Sequence, residues 1–212
     1  MNIVYGLTEA YSLDDIVANK ADEVDDKDIF DFSTRILNPA KEPFFSLILS
    51  VSTHSPYNHY VGDNFLQNRG DYPIEYKNYL NTCHYTDCQL QKYFDALKQA
   101  GIYDRSLIII ASDHYAHLNR LKMDKKIPDY TPLFIINGNI DVEQAWKGEF
   151  HQLDVYTTIL DVLGIDNEWK GLGKTLITSK YSNSASKKAH HLSEMIIEGD
   201  YFSDAYDNEK RK

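Results

Sequence analysis

The sequence is short of the features that would place it in several broad classes. Only 2 cysteines occur among 212 residues, which excludes a disulfide-stapled scaffold. Cys83 and Cys88 lie five positions apart in a predicted helix, about 500° around its axis, so they point in different directions and are not expected to pair. The longest apolar stretches, Phe44 to Val51 and Leu107 to Ala111, fall far short of the roughly 20 residues that a membrane-spanning helix needs. The amino end, MNIVYGLTEAYSLDD, has no basic region followed by an apolar stretch and a small-residue cleavage site, and is not read as a secretory signal. Basic residues are the minority, 22 Lys and Arg against 32 Asp and Glu. A net charge of −10 repels nucleic acid and anionic membrane surfaces, and no basic patch large enough to reverse that is seen. No internal repeat is found.

What is present is a globular composition. Hydrophobic residues make up 42% of the chain and tyrosine alone contributes 16 residues, enough apolar area to offset chain entropy. The length fits one domain. Residues 1–180 read as one α/β portion, and 181–212 as a polar tail in which Glu194 to Phe202 (EMIIEGDYF) forms a short β-hairpin or edge strand around Gly199-Asp200. The tail from Asp204 is expected to fray.

Apolar spacing predicts an amphipathic helix over Asp26 to Leu37. The next segment, PFFSLILSVST (Pro43 to Thr53), is too uniformly apolar for a half-exposed strand and predicts a strand buried in a parallel sheet. Residues Pro56 to Pro73 read as a surface loop. A long helix follows from Ile74 to Ala100, stopped by Gly101. Ser106 to Ser112 (SLIIIAS) predicts a second strand, so that strand, helix and strand make a right-handed βαβ unit with both strands parallel. His117 to Tyr130 reads as a polar, basic loop, Pro132 to Asn137 as a third strand, and the segment around Val155 to Leu163 as a helix ended by Gly164. The expected fold class is α/β, a mostly parallel sheet flanked by helices.

In such sheets ligands bind beyond the carboxyl ends of the strands. Thr53-His54 follows the first strand and Asp113-His114 the second. An Asp-His pair offers one oxygen and one nitrogen ligand to a divalent cation. A catalytic site needs one or two more ligands, for which His54, His117, His151 and Asp154 are the candidates. Plainer roles stand beside these. An Asp after a strand often caps a turn, His54 before Ser55-Pro56 can simply pack on Tyr57, and His151 and Asp154 suit a helix amino terminus. His84 and Asp87 suit a local hydrogen bond within the long helix. His190 and His191 receive no role.

Taken in order, FFSLILSVSTHSPY (Phe44 to Tyr57), YLNTCHYTDCQLQKYFDALKQAGIYDRSLIIIASDHY (Tyr79 to Tyr115), TPLFIING (Thr131 to Gly138), HQLDVYTTILDVLGI (His151 to Ile165) and GLGKTLI (Gly171 to Ile177) resemble the lipoteichoic acid synthase-like branch of the sulfatase and alkaline phosphatase superfamily. The likeness covers about Asp26 to Ile177. It implies a metalloenzyme at the extracytoplasmic face of the cell membrane or in the periplasm. The reaction implied is transfer of phosphoglycerol or phosphoethanolamine groups, or hydrolysis of phosphate or sulfate esters. Asp113 and His114 match the family's metal-binding pair, for Mn²⁺, Mg²⁺, Zn²⁺ or Ca²⁺. His54 matches the histidine that contacts the substrate's phosphoryl or sulfuryl group, and the implied substrates include lipid head groups and glycans. The family's nucleophile and a further acidic ligand lie on the amino-terminal side of the matched region. Thr8 and Glu9 have no apolar strand before them and are not promoted to those roles. The chain is thus expected to be the carboxyl-terminal portion of such an enzyme, partnered by the missing amino-terminal half and inactive alone. The alternative is a non-catalytic α/β domain that binds an anionic glycan or phosphate head group through Lys122, Lys125 and Lys126.

Overall fold

A computed structural model of the chain describes residues 9–16, 24–38, 40–57, 70–123, 131–140, 151–165 and 173–177, with 191–192, 194–195 and 198 in the tail. The elements run α1 (Leu13–Ile16), α2 (Asp26–Leu37), α3 (Ile74–Gln99), a 3-10 turn (Tyr103–Arg105), β1 (Ile108–Ala111), α4 (Leu118–Leu121), β2 (Leu133–Ile136) and α5 (Leu153–Val162). The chain divides into two units, Met1–Phe134 and Ile135–Lys212, with the boundary inside β2.

The first unit is organised by α2 packed on α3. Helix α2 begins with a capping box: the Asp25 carboxylate accepts the Asp28 N–H at 3.1 Å, and the Asp28 carboxylate accepts the Asp25 N–H at 3.3 Å, satisfying two of the donors a helix start leaves open. Helix α3 ends where Gly101 takes φ +69, a left-handed conformation that favours glycine. Between the helices Phe30 stacks on Tyr93 with ring centroids 5.1 Å apart. Leu97 and Ile102 complete this core, and Leu90, Phe94 and Ile108 pack against it.

Asp26, the first residue of α2, is fully buried. Its Oδ1 accepts the backbone N–H groups of Val51 at 2.7 Å and Ser52 at 2.9 Å. Its Oδ2 accepts the Thr86 hydroxyl from α3 at 2.6 Å, while its own N–H donates to Ser52 Oγ at 3.0 Å. One carboxylate therefore ties the start of α2, the middle of α3 and the segment before His54. Its charge lies at the positive end of a helix dipole.

The segment expected to be a buried parallel strand is not one. Residues 44–50 carry no strand pairing, and none of their backbone groups bonds to another described residue. Phe45, Leu47 and Leu49 are 73%, 65% and 74% exposed, whereas Ile48 turns inward onto the helical core. Of the segment 44–50, Ile48 alone is partly buried. A uniformly apolar run reports the intended burial of both faces, but a strand exists only where a neighbour supplies the hydrogen bonds.

The predicted strands 106–112 and 132–137 do form, as β1 and β2. They pair with each other, antiparallel, in a two-stranded sheet. Among the described residues the expected parallel arrangement of strands does not occur; antiparallel neighbours need no crossover helix, and the described part of their connection holds only the single turn α4. Of the segment Glu194 to Phe202, expected as a hairpin or edge strand, Glu194, Met195 and Glu198 are described and have helical backbone; its turn at Gly199-Asp200 lies outside the described residues. Residues 199–212 lie outside the described set.

In the second unit α5 ends as expected, with Gly164 at φ +66. Asp154, also buried, accepts the His151 N–H at 2.8 Å through Oδ2 and the Lys174 N–H at 2.8 Å through Oδ1. Thr158 receives the Leu176 N–H at 3.1 Å. This lays residues 173–176 so tightly across the start of α5 that a Cβ on Gly173 would run into the Leu153 carbonyl.

Three stability outcomes follow from these contacts, each read from the denaturant midpoint. Asp26→Ala strands two buried amides and a hydroxyl and is expected to cost about 3 kcal/mol or more; Asp26→Asn, which keeps an acceptor oxygen, costs less. Ile48→Ala is expected to lose roughly half of the about 2–5 kcal/mol of a fully enclosed site, while Leu47→Ala and Leu49→Ala stay within about 0.5 kcal/mol. Gly173→Ala is expected to destabilise by about 1–3 kcal/mol, the cost of overpacking against backbone.

Candidate functional site

The rim after β1 is built from sequence neighbours. Ile108 packs on the core, and the chain leaves the strand at Ser112 to present Asp113 and His114, both exposed. The Asp113 Oδ1 accepts the His114 N–H at 2.8 Å, and Asp113 Oδ2 stands 3.7 Å from His114 Nε2. The other ring nitrogen, Nδ1, lies 2.8 Å from the Tyr115 carbonyl oxygen. A carbonyl can only accept, so Nδ1 is the nitrogen that donates here, and Nε2 is the one left to face Asp113. A metal-ligating histidine is commonly held in this way, its second nitrogen bonded to a backbone carbonyl.

Two donor atoms 3.7 Å apart can share one cation at the usual metal–ligand distance of about 2.0–2.2 Å. The pair therefore fits as two ligands of a divalent ion. Among the described residues no group of three or more His, Cys, Asp and Glu converges on one point, so neither His54 nor His117 joins Asp113 and His114 as a third ligand.

His54 is placed by different means. Asp26 holds Val51 and Ser52, the His54 N–H donates to the Val51 carbonyl at 3.0 Å, and the Tyr57 N–H donates to the His54 carbonyl at 3.1 Å. Tyr57 is buried edge-on against Tyr79, centroids 5.3 Å apart, and burial pushes its hydroxyl above the usual tyrosine range. The turn is thus pinned at both ends with the imidazole outside. His54 Nδ1 lies 2.6 Å from the Ser55 carbonyl and by the same reasoning donates to it, which leaves Nε2 for other partners.

His117 has a role that the sequence did not disclose. Its ring stacks on that of His114, centroids 5.0 Å apart and planes 26° apart. Its carbonyl accepts the Arg120 and Leu121 N–H groups at 2.9 and 3.2 Å, starting α4. Leu121 is fully buried, and Lys122 forms an ion pair with Glu75 of α3 that holds the Glu75 carboxyl below the usual carboxylate range. Engagement of Lys122 weakens its candidacy as a glycan-attracting charge; Lys125 and Lys126 lie outside the described residues.

His151 and Asp154 serve the amino terminus of α5: the Leu153 N–H donates to His151 Nδ1 at 3.2 Å, beside the Asp154 bonds described above. Cys83 and Cys88 are both free thiols. Burial pushes the Cys83 thiol up, which makes it a poor nucleophile. His84 Nε2 lies 3.8 Å from Cys88 Sγ one turn on, a local helix contact. No helix among the described residues is long and apolar enough to cross a membrane.

Residues 3–165 match the sulfatase family. Among curated proteins the chain is 30% identical over 159 residues to lipoteichoic acid synthase 2 of Bacillus subtilis, an overlap of 68% of this chain and 24% of that protein. It is 32% identical over 162 residues to the lipoteichoic acid synthase of Staphylococcus aureus strain USA300, again 68% of this chain and 24% of the relative. For the lipoteichoic acid synthase of Staphylococcus saprophyticus the figures are 28% over 177 residues, 75% of this chain and 27% of the relative. The chain spans about a quarter of the length of these relatives. With a match over residues 3–165, and with helices and a strand pair consistent with that family's alkaline phosphatase-like α/β fold, the chain belongs to the sulfatase family and is similar to its lipoteichoic acid synthases.

Proposed function

We propose that residues 1–180 are the carboxyl-terminal portion of a metal-dependent catalytic domain that transfers phosphoglycerol or phosphoethanolamine groups, or hydrolyses phosphate or sulfate esters. The observation that carries this reading is the Asp113 Oδ2 and His114 Nε2 pair, 3.7 Å apart at the exit of β1 with the other imidazole nitrogen bonded to the Tyr115 carbonyl. Asp113 and His114 hold the divalent ion, and a cation there offsets charge on the non-bridging oxygens of a transferring group. His54 contributes its Nε2 to the phosphoryl or sulfuryl group, its ring orientation set by the bond to Ser55 and its backbone by Asp26. The nucleophile and the remaining acidic ligand come from the enzyme's other half, without which this portion turns over little. In the assembled enzyme residues 44–50 take a place in a mostly parallel sheet flanked by helices, a reading supported by the exposed apolar side chains of Phe44, Phe45, Leu47 and Leu49. The similarity to lipoteichoic acid synthases supports action on lipid head groups or glycans at the extracytoplasmic face of a membrane.

Titration calorimetry with Mn²⁺ and Zn²⁺ tests the pair. Asp113→Ala and His114→Ala are each expected to weaken binding at least tenfold, whereas His54→Ala leaves metal affinity unchanged and weakens glycerol phosphate binding to the metal-loaded chain. Affinity is expected to fall as pH is lowered, because protons compete with the ion for His114 Nε2. Equal metal affinity in wild type and Asp113→Ala would remove Asp113 from the site.

A further inference from the structure

The stacked pair His114 and His117 is built more firmly than a surface contact between two exposed side chains requires. His117 begins α4, and α4 packs on α3. Two anchors stand behind it: Leu121, with no exposed surface, and the Lys122 to Glu75 ion pair. The His117 ring also meets the Tyr115 ring edge-on, centroids 6.0 Å apart. His117 is therefore held from its backbone and from a second aromatic ring, while its own ring lies along the face of His114. His114, by contrast, lies in a bend after β1, and among the described residues its side-chain hydrogen bond is the one from Nδ1 to the Tyr115 carbonyl. A single bond of that kind leaves an exposed ring some freedom in χ1 and χ2. A plane laid against the ring removes that freedom.

We infer that His117 is a positioning residue for the metal-binding pair: its ring plane, not its nitrogens, keeps His114 Nε2 turned toward Asp113 Oδ2. The inference rests on the reading of Asp113 and His114 as metal ligands, and it adds a residue from outside the two-residue motif. Groups that orient a ligating histidine commonly matter to metal affinity by about 10–100-fold. Because the contact is face to face, a flat apolar ring substitutes for it. A side chain without a ring does not.

The test uses the whole chain in five forms, wild type, His117→Ala, His117→Phe, Asp113→Ala and His114→Ala, with circular dichroism to verify equal helix content. Two readouts are taken at pH 8. Long-range ¹H–¹⁵N correlation of the imidazoles, without metal and assigned by the signal missing in His114→Ala, is expected to give the Nδ1–H tautomer of His114 in wild type and His117→Phe, and a tautomer mixture in His117→Ala. Titration with Co²⁺, followed by its visible absorption, is expected to show affinity about tenfold weaker in His117→Ala and within about threefold of wild type in His117→Phe. Wild-type affinity in His117→Ala together with an unchanged tautomer overturns the inference while leaving the metal pair intact. Equal loss in His117→Phe and His117→Ala also overturns it, since the nitrogens would then be what matters. Equal Co²⁺ affinity in wild type and Asp113→Ala fails the metal reading itself, and with it the inference, whatever the tautomer readout shows.

Discussion

A buried carboxylate with both of its oxygens directed at fixed donors holds the first unit together. Asp26 is an expensive residue to bury, since an ion removed from water loses several kcal/mol of solvation unless hydrogen bonds replace it. Here two backbone amides and a hydroxyl do so. The donors come from separate parts of the chain, so the requirement to satisfy one charge dictates where three segments meet. Removing the charge would not merely delete contacts; it would leave the amides of Val51 and Ser52 without a reason to be inside. His54 follows Ser52 by two residues, so the constraint that stabilises the helix pair is also the one that places a candidate substrate-binding imidazole.

Much of the helical layer was legible in the sequence, because helix signals are local. The acidic start and apolar spacing of α2, the long run of α3 with Gly101 behind it, and Gly164 after α5 all express physics confined to a few turns. The apolar strands at β1 and β2 were legible for the same reason. The segment 44–50 was not, because pairing depends on a neighbour that no local pattern can report: Phe45 and Leu49 look alike in sequence whether covered or bare. Asp26 was hidden by its company. It sits in ADEVDDKD, a stretch that reads as solvated, and its partners stand 25 and 60 residues away.

The candidate site divides along the same line. Asp113 and His114 were visible because adjacency in sequence and the end of a strand together bring an oxygen and a nitrogen to one edge, and the structure sets them 3.7 Å apart. Their geometry is made from bonds to the next one or two residues. The stacking of His117 could be read only from the turn between β1 and α4, since a spacing of three has no fixed meaning outside a helix. His151 and Asp154, equally plausible as ligands by type, are consumed by the needs of a helix terminus and of the strand of chain laid over it.

The crossing of residues 173–176 over α5 bears on how sequences of this kind can drift. At 173 the space is closed by a carbonyl, so variation there ends at glycine. One residue later the constraint reverses character: Asp154 uses only the amide hydrogen of Lys174, whose side chain is exposed. Nineteen residue types can serve at that position and proline alone cannot, because it has no hydrogen to give. Two adjacent positions in one contact thus stand at opposite extremes of evolutionary permissiveness.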